Sequence, residues 1–419
     1  MYLCIDLGST SFKTAVYDAD LNLMGSGGAY LDYAHLGERV ELTLEMVSGA
    51  VKSAVQEAVE AAGLQSADII SVAVTSQAQT FALRMGGAFV APMISWQDSR
   101  AAADAEAMRK DPFFASFRDH AGLYVPVSGL QLCLLAQVYK DQPEFHGAEV
   151  VPLPSFVMEK LTGQLVLDDN LAALSGLWSL PEKKWNDDYL QWLGLTAAQL
   201  PNVGPLPASA GTVQAGNFLG LPQGCPVYSA GNDQTAGAVA AELEREGGIL
   251  ITLGSAQVVY QWCETLPLPE EGVIRGSYPG GGFCRMLVDT CGGNQILRTY
   301  KQLGLEGFPA FFEEAKAGFA SGASLPKVDA AVDQIKWSDE SASTALKCAA
   351  VVDFLSERMA KMVLRLEVND KPVYLTDGGG ARQSVWRDCM EQKLGRKLSL
   401  RIAAPDLGAA RMMQRVVAS

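Results

Sequence analysis

Two periodicities divide the hydrophobic positions of this chain. YLCIDLG, FKTAVYDA and NLMGSGGAYL are dense in apolar residues and separated by Gly, Ser and Asp/Asn turns, which predicts three consecutive antiparallel strands. In the stretch VELTLEMVSGAVKSAVQEAVEAAG the period changes: Leu44, Val47, Val51, Val55 and Val59 keep helical spacing and Gly63 supplies a stop. IISVAVTS then predicts a fully buried strand. The pattern returns later, with GGILITLG, AQVVYQWC and FCRMLVDTCG as strands, GNQILRTYKQLG as a helix and ALKCAAVVDFLSERMAKMVLRL as a long buried one. KPVYLTD, ARQSVWRDCMEQKLG, KLSLRIA and LGAARMMQRVV complete this half as strand, helix, strand and closing helix.

CIDLGSTS and LITLGSAQ occupy the same place in the two halves, setting Asp6 opposite Thr252 and Ser9 opposite Ser255. Chance similarity of two Gly-Ser turns would produce the match, and so would duplication of one β-β-β-α-β-α unit. Duplication predicts an α/β protein of two domains flanking a cleft, 1–228 and 229–419, with a hinge near GCPVYSAGND. Residues from roughly 100 to 225 are rich in Pro, Trp and loop signals, as insertions completing the first domain or as a separate small domain.

Composition narrows the partners. The chain has 419 residues, 48% hydrophobic and 19% charged, with a net charge of −14 and no Lys/Arg-rich run, which argues against nucleic acid and anionic membranes. Its eight cysteines are scattered without a CxxC pair and only three histidines accompany them, so buried reduced thiols are expected rather than disulfides or a zinc site. No basic-then-apolar leader precedes Met1, and no apolar run approaches the roughly 18 residues of a membrane span, so a cytoplasmic protein is expected.

Four stretches carry candidate chemistry. A buried strand that needed only to pack would not choose Asp6, because a carboxylate out of water costs several kcal/mol unless compensated. Gly8, Ser9, Thr10, Ser11 and Lys13 follow it, a set whose backbone N–H groups, hydroxyls and ammonium suit phosphate, with Asp6 placed to hold an accompanying Mg²⁺. In SAGNDQTAGAVAAE, Asp233 sits at a small-residue helix start, as an N-cap, as a general base, or as both. In TDGGGARQSVW, Gly378, Gly379 and Gly380 leave backbone open to a flat ligand such as adenine; a plain strand-to-helix turn is the alternative. In ISWQDSRA, Trp96, Asp98 and Arg100 alternate, so an extended segment would project them to one side, as a polyol-binding set or as a salt bridge beside a core Trp.

The order DLGSTSFK, ISWQDSR, AGNDQTAGA and DGGGARQSVWRD resembles the FGGY family of carbohydrate kinases, relatives of glycerol kinase, gluconokinase and xylulose kinase. The likeness includes PSFVMEKLTGQ and PDLGAARMM and runs over nearly the whole chain. It implies two actin-like (ribonuclease H-like) ATPase domains, ATP and Mg²⁺ as cofactors held between them, a sugar or polyol substrate and a possible homodimer. Carried over by position, the resemblance makes Asp233 the base, Asp6 the metal residue, Gly8, Ser9, Thr10 and Lys13 the first phosphate hairpin, and Gly254 with Ser255 the second. It sets Gly378, Gly379 and Gly380 at the adenine, and Gln79, Trp96, Asp98, Arg100 and Gln234 around the sugar. Several departures stand out. SQAQT replaces the family's NQRET or GQMHG, Gln131 stands where a Lys is frequent, and Leu325–Ala350 lacks the usual PYLxGER, so an unusual substrate or reduced activity is one expectation. DLGSTS is also similar to the opening of activator ATPases, whose cluster-binding cysteine motif is missing here, and a pseudo-kinase is a third class.

Overall fold

The computed structural model describes residues 1–330, 334–366 and 371–418, so part of Leu325–Ala350 lies outside the described residues. The chain divides into two compact units: unit 1 comprises 1–240, 263–284 and 403–419, and unit 2 comprises 241–262 and 285–402.

Unit 1 is built on β1 (Tyr2–Leu7), β2 (Ser11–Tyr17), β3 (Leu23–Tyr30), β4 (Ser71–Ser76), β5 (Ala208–Thr212) and β6 (Pro226–Asn232), in the order β5-β6-β4-β1-β2-β3. β1 and β2 pair antiparallel, with Asp6 opposite Lys13, while β4 lies parallel to both β1 and β6. Central strands covered on both faces need continuous apolar runs, and β1 and β4 are buried at every position. Helix α1 (Leu44–Ala61) starts where the Thr43 hydroxyl accepts the Met46 N–H, and buries Val47, Val51, Val55 and Val59 as its spacing predicts. The preceding Arg39–Leu42, expected within that helix, is a strand instead. Two glycines inside the third strand serve packing. A Cβ at Gly25 would lie 2.4 Å from the Ala58 carbonyl oxygen, and one at Gly27 2.4 Å from that of Ala54, so their absence seats α1 directly on β3.

Unit 2 repeats the arrangement. β7 (Ile249–Leu253), β8 (Gln257–Cys263), β9 (Phe283–Asp289), β10 (Val373–Thr376) and β11 (Ser399–Arg401) run in the order β9-β8-β7-β10-β11. As in unit 1, the first two strands pair antiparallel and the next two add parallel. Leu7 and Leu253 both end their strands just before a Gly-Ser turn, so the two halves have the expected correspondence.

The units do not divide at residue 228. β6 and the helix it feeds, α2 (Asp233–Ala240), belong to unit 1, because β6 is hydrogen-bonded to β4 along its length. Residues 100–225 lie in the same unit, and the closing helix Pro405–Ala418 returns to it, packing on α2 and β1. The approach to α2 is so close that a Cβ at Gly408 would fall 1.7 Å from the Ala236 carbonyl oxygen. Among the described residues no cysteine is in a disulfide, and seven of the eight are buried.

Candidate functional site

In unit 1 the carboxyl ends of β1 and β6 bring Asp6 and Asp233 into electrostatic range of each other and of Lys13. Asp6 is 5% exposed and its Oδ1 has no hydrogen-bond partner. Burial pushes its carboxyl up to about 8; Asp233 adds to the rise and Lys13 opposes it. Asp233 opens α2 and accepts the Gln234 N–H at 2.8 Å; burial raises its pKa also, against those hydrogen bonds.

The turn after β1 is shaped to offer donors. Its carbonyls are already taken, that of Thr10 by the Leu31 N–H at 3.1 Å and that of Gly8 by the Gln77 amide at 3.4 Å. The Ser9 and Thr10 hydroxyls and the exposed Lys13 remain at its rim. An orphaned buried carboxylate oxygen with a second carboxylate nearby fits a hard divalent cation that keeps waters and phosphate oxygens as its other ligands. No cluster of three or more His, Cys, Asp or Glu suited to a metal occurs among the described residues.

Further polar residues follow β4, which ends at Ser76. Gln79 holds a left-handed backbone with φ 72°, a strain of about 1–3 kcal/mol for a non-glycine residue, and lines a small cavity with Gln77, Thr80, Gln131 and Ser175. The Trp96 backbone N–H donates to Thr80 Oγ1 at 3.2 Å, and the residue is 44% exposed. Of the two readings of ISWQDSRA, the structure contains the salt bridge, Asp98 with Arg100, beside a tryptophan that is exposed rather than core. Residues 96–97 turn rather than extend, because Asp98 folds back, 1% exposed, to accept the Val40 N–H at 2.9 Å, the Arg100 N–H at 3.0 Å and the Arg100 guanidinium at 2.6 Å. Arg100 also donates to Glu41 at 2.7 Å. The two charges fasten the turn to strand Arg39–Leu42 instead of joining Trp96 on one face.

Unit 2 carries a cavity of about 520 Å³ whose walls include Leu297, Phe312 and Trp386, with Gly254, Ser255, Gly379 and Gly380 at its edge. Helices α3 (Gly293–Gln302) and α4 (Ser384–Leu394) supply Leu297 and Trp386. The hairpin turn is again held by its carbonyls: the Gly293 N–H donates to Gly254 at 2.9 Å and the Asn294 N–H to Ser255 at 3.2 Å. The three glycines divide their labour. Gly379 faces open space, whereas a Cβ at Gly380 would meet Leu253 Cβ at 2.7 Å, so Gly380 serves close packing and Gly378 lies off the cavity wall. Sequence reasoning missed the aromatic wall, since Trp386 read as part of an ordinary helix and the segment of Phe312 was assigned no element; the Gly292–Gly293 pair was the available signal.

Residues 1–240 match the family model described as the FGGY family of carbohydrate kinases, N-terminal domain. A glycerol kinase of Brucella ovis is 27% identical over 60% of this chain and 52% of its own length, so the chain spans about half the length of the curated relatives it matches. Among solved structures, a xylulose kinase from Rhodospirillum rubrum superposes with a TM-score of 0.87 at 19% identity, covering 100% of this chain and 90% of that one. A Plasmodium falciparum glycerol kinase with ADP gives 0.85 at 14% identity, covering 100% and 90%. At these identities the superpositions establish the fold, which is that of the two-domain kinases.

Proposed function

Because this chain belongs to the FGGY family of carbohydrate kinases, we propose that it transfers the γ-phosphoryl group of ATP to a hydroxyl of a sugar or polyol, with Asp233 as general base. The observation that carries this reading is the Asp6–Asp233 pair, two carboxylates raised by burial at the ends of two strands that flank β4 in one sheet, beside a turn that presents donors. A structural role would not require an unpaired buried oxygen on Asp6.

Phosphoryl transfer needs little covalent help from a protein; positioning and charge neutralisation dominate. Asp233, its pKa raised by desolvation, accepts the proton of the attacking hydroxyl as the oxygen gains charge. Gln234 and Gln79 offer amides to the remaining hydroxyls, and the exposed Trp96 ring offers a face to the sugar's C–H bonds. Ser9, Thr10 and Lys13, with Gly254 and Ser255, donate to phosphate oxygens, while the nucleoside occupies the apolar cavity of unit 2 with its ring over Gly379. Asp6 would hold Mg²⁺, which would neutralise phosphate charge.

Coupled ADP release with Mg·ATP across pentuloses, hexuloses, aldonates and polyols tests the reading. Acceptor-dependent turnover that vanishes in Asp233→Asn is expected. Hydrolysis that no acceptor accelerates would move the protein to an activator ATPase, and nucleotide binding without turnover to a pseudo-kinase.

A further inference from the structure

Asp233 is aimed by a backbone that departs from regular geometry. Between Ser229 and Asn232, β6 advances three residues while its partner β4 advances two, from Val74 to Ser76, so one extra residue is bulged into the strand immediately before the base. Gly231 within the bulge has φ 78°, and a Cβ there would meet Leu206 Cδ2 at 3.0 Å and Asn170 Oδ1 at 3.3 Å. Nothing in the ladder itself holds such a bulge. Relaxation to a regular register would turn the following side chains toward the opposite face.

What holds it is the segment Asp168–Asn170, and we propose that Asp168 and Asn170 are positioning residues that fix the bulge and thereby the direction of the Asp233 carboxylate. Asp168 is fully buried and accepts the Ser229 hydroxyl, the Gly231 N–H at 3.1 Å and the Leu171 N–H at 2.8 Å. Asn170, 1% exposed, accepts the Asn232 N–H at 2.9 Å and donates to Thr235 Oγ1 at 3.1 Å and to the Ser277 carbonyl at 2.7 Å. On the fourth side the Thr75 hydroxyl donates to the Gly231 carbonyl at 2.8 Å. Residues 229, 231, 232 and 235 are thus gripped on both sides of Asp233 by the side chains of Asp168, Asn170 and Thr75. An internal carboxylate with only neutral donors for partners is a costly way to hold a strand that has no special task.

This inference rests on the reading of Asp233 as the base, and the test separates the two. In Asn170→Ala and Asp168→Asn, kcat for ADP release is expected to fall about 10–100-fold while KM for acceptor and ATP changes less than about threefold, the signature of misplacement rather than lost binding. Ser229→Ala, which removes one of the three donors to Asp168, is expected to show a smaller loss of the same kind, and carries the test with Asn170→Ala if Asp168→Asn does not fold. Lowered melting temperature with kcat retained would overturn the proposal by making the segment a purely structural brace. If the wild type releases no ADP with any acceptor, the kinase reading falls, and hydrogen exchange decides this proposal alone. The Gly231 and Asn232 amides should then exchange at least about tenfold faster in the variants, with Tyr2–Leu7 unchanged; unchanged exchange at 231 and 232 would overturn it.

Discussion

In unit 1 the turn after the first strand follows the buried Asp6 and faces Lys13; in unit 2 the matching turn follows Thr252 and faces Val258. Both turns are held alike, by N–H or amide donors that consume their carbonyls. Yet one stands beside two carboxylates, and the other opens onto a cavity walled by Leu297, Phe312 and Trp386. One backbone plan therefore supports two environments. The polar copy suits a metal and a reacting hydroxyl, and the apolar copy suits a flat ring. The asymmetry lies in the side chains on strand ends and adjacent helices, where substitution leaves the hydrogen-bonded ladders intact.

Removing the charge on the polar side should have the largest effect. Asp233→Asn is expected to lower kcat by about 10²–10⁴-fold, the range for loss of a general base, with the melting temperature unchanged or raised, measured by coupled ADP release and thermal unfolding. On the apolar side, Gly380→Ala forces a methyl group against Leu253 and should destabilise unit 2 by about 1–3 kcal/mol, whereas Gly379→Ala should leave stability within about 0.5 kcal/mol. Denaturant unfolding with and without ATP would check both, and equal costs at the two positions would break the distinction between them.

Asp6 makes the comparison titratable. Its folded-state pKa of about 8 lies above the ordinary carboxylate value, so the folded protein keeps a proton that the unfolded chain releases. Its contribution is therefore fully present below about pH 4 and is lost as pH rises to about 8. Asp6→Asn should flatten that decline, leaving the metal-free protein more stable at pH 8 by about 1 kcal/mol or more while removing Mg²⁺-dependent stabilisation. A decline unchanged in the variant would show that Asp6 does not titrate in this window. The smallest effect is expected at the counterpart: Thr252→Ala should alter both turnover and stability by less than about 0.5 kcal/mol, because no charge is lost.

Much of this was legible along the chain. Most strands and helices of the two halves followed from period and punctuation, though not strand Arg39–Leu42 or helix Gly307–Ala320, and the misfit of Asp6 in an apolar run marked a candidate site before any geometry was known. The three glycines at 378–380 were visible as a cluster, but not that Gly380 is needed for packing against Leu253 while a Cβ at Gly379 would meet open space. For Trp96, Asp98 and Arg100 the sequence suggested a shared face, and a turn separated them, because the ion pair closes on Glu41 from a strand more than fifty residues earlier.

The sequence by itself determined which segments become strands or helices, that the pattern recurs in two halves, and which residues are chemically out of place in their segments. These are local properties, set by periodicity and by the cost of burying charge. The tertiary structure alone decided where the compact units divide, that the closing helix returns to unit 1, that Phe312 and Trp386 wall a cavity, and that Asp168 and Asn170 reach the bulge before Asp233. Each depends on residues far apart along the chain, and no local pattern encodes which distant donor satisfies a buried acceptor.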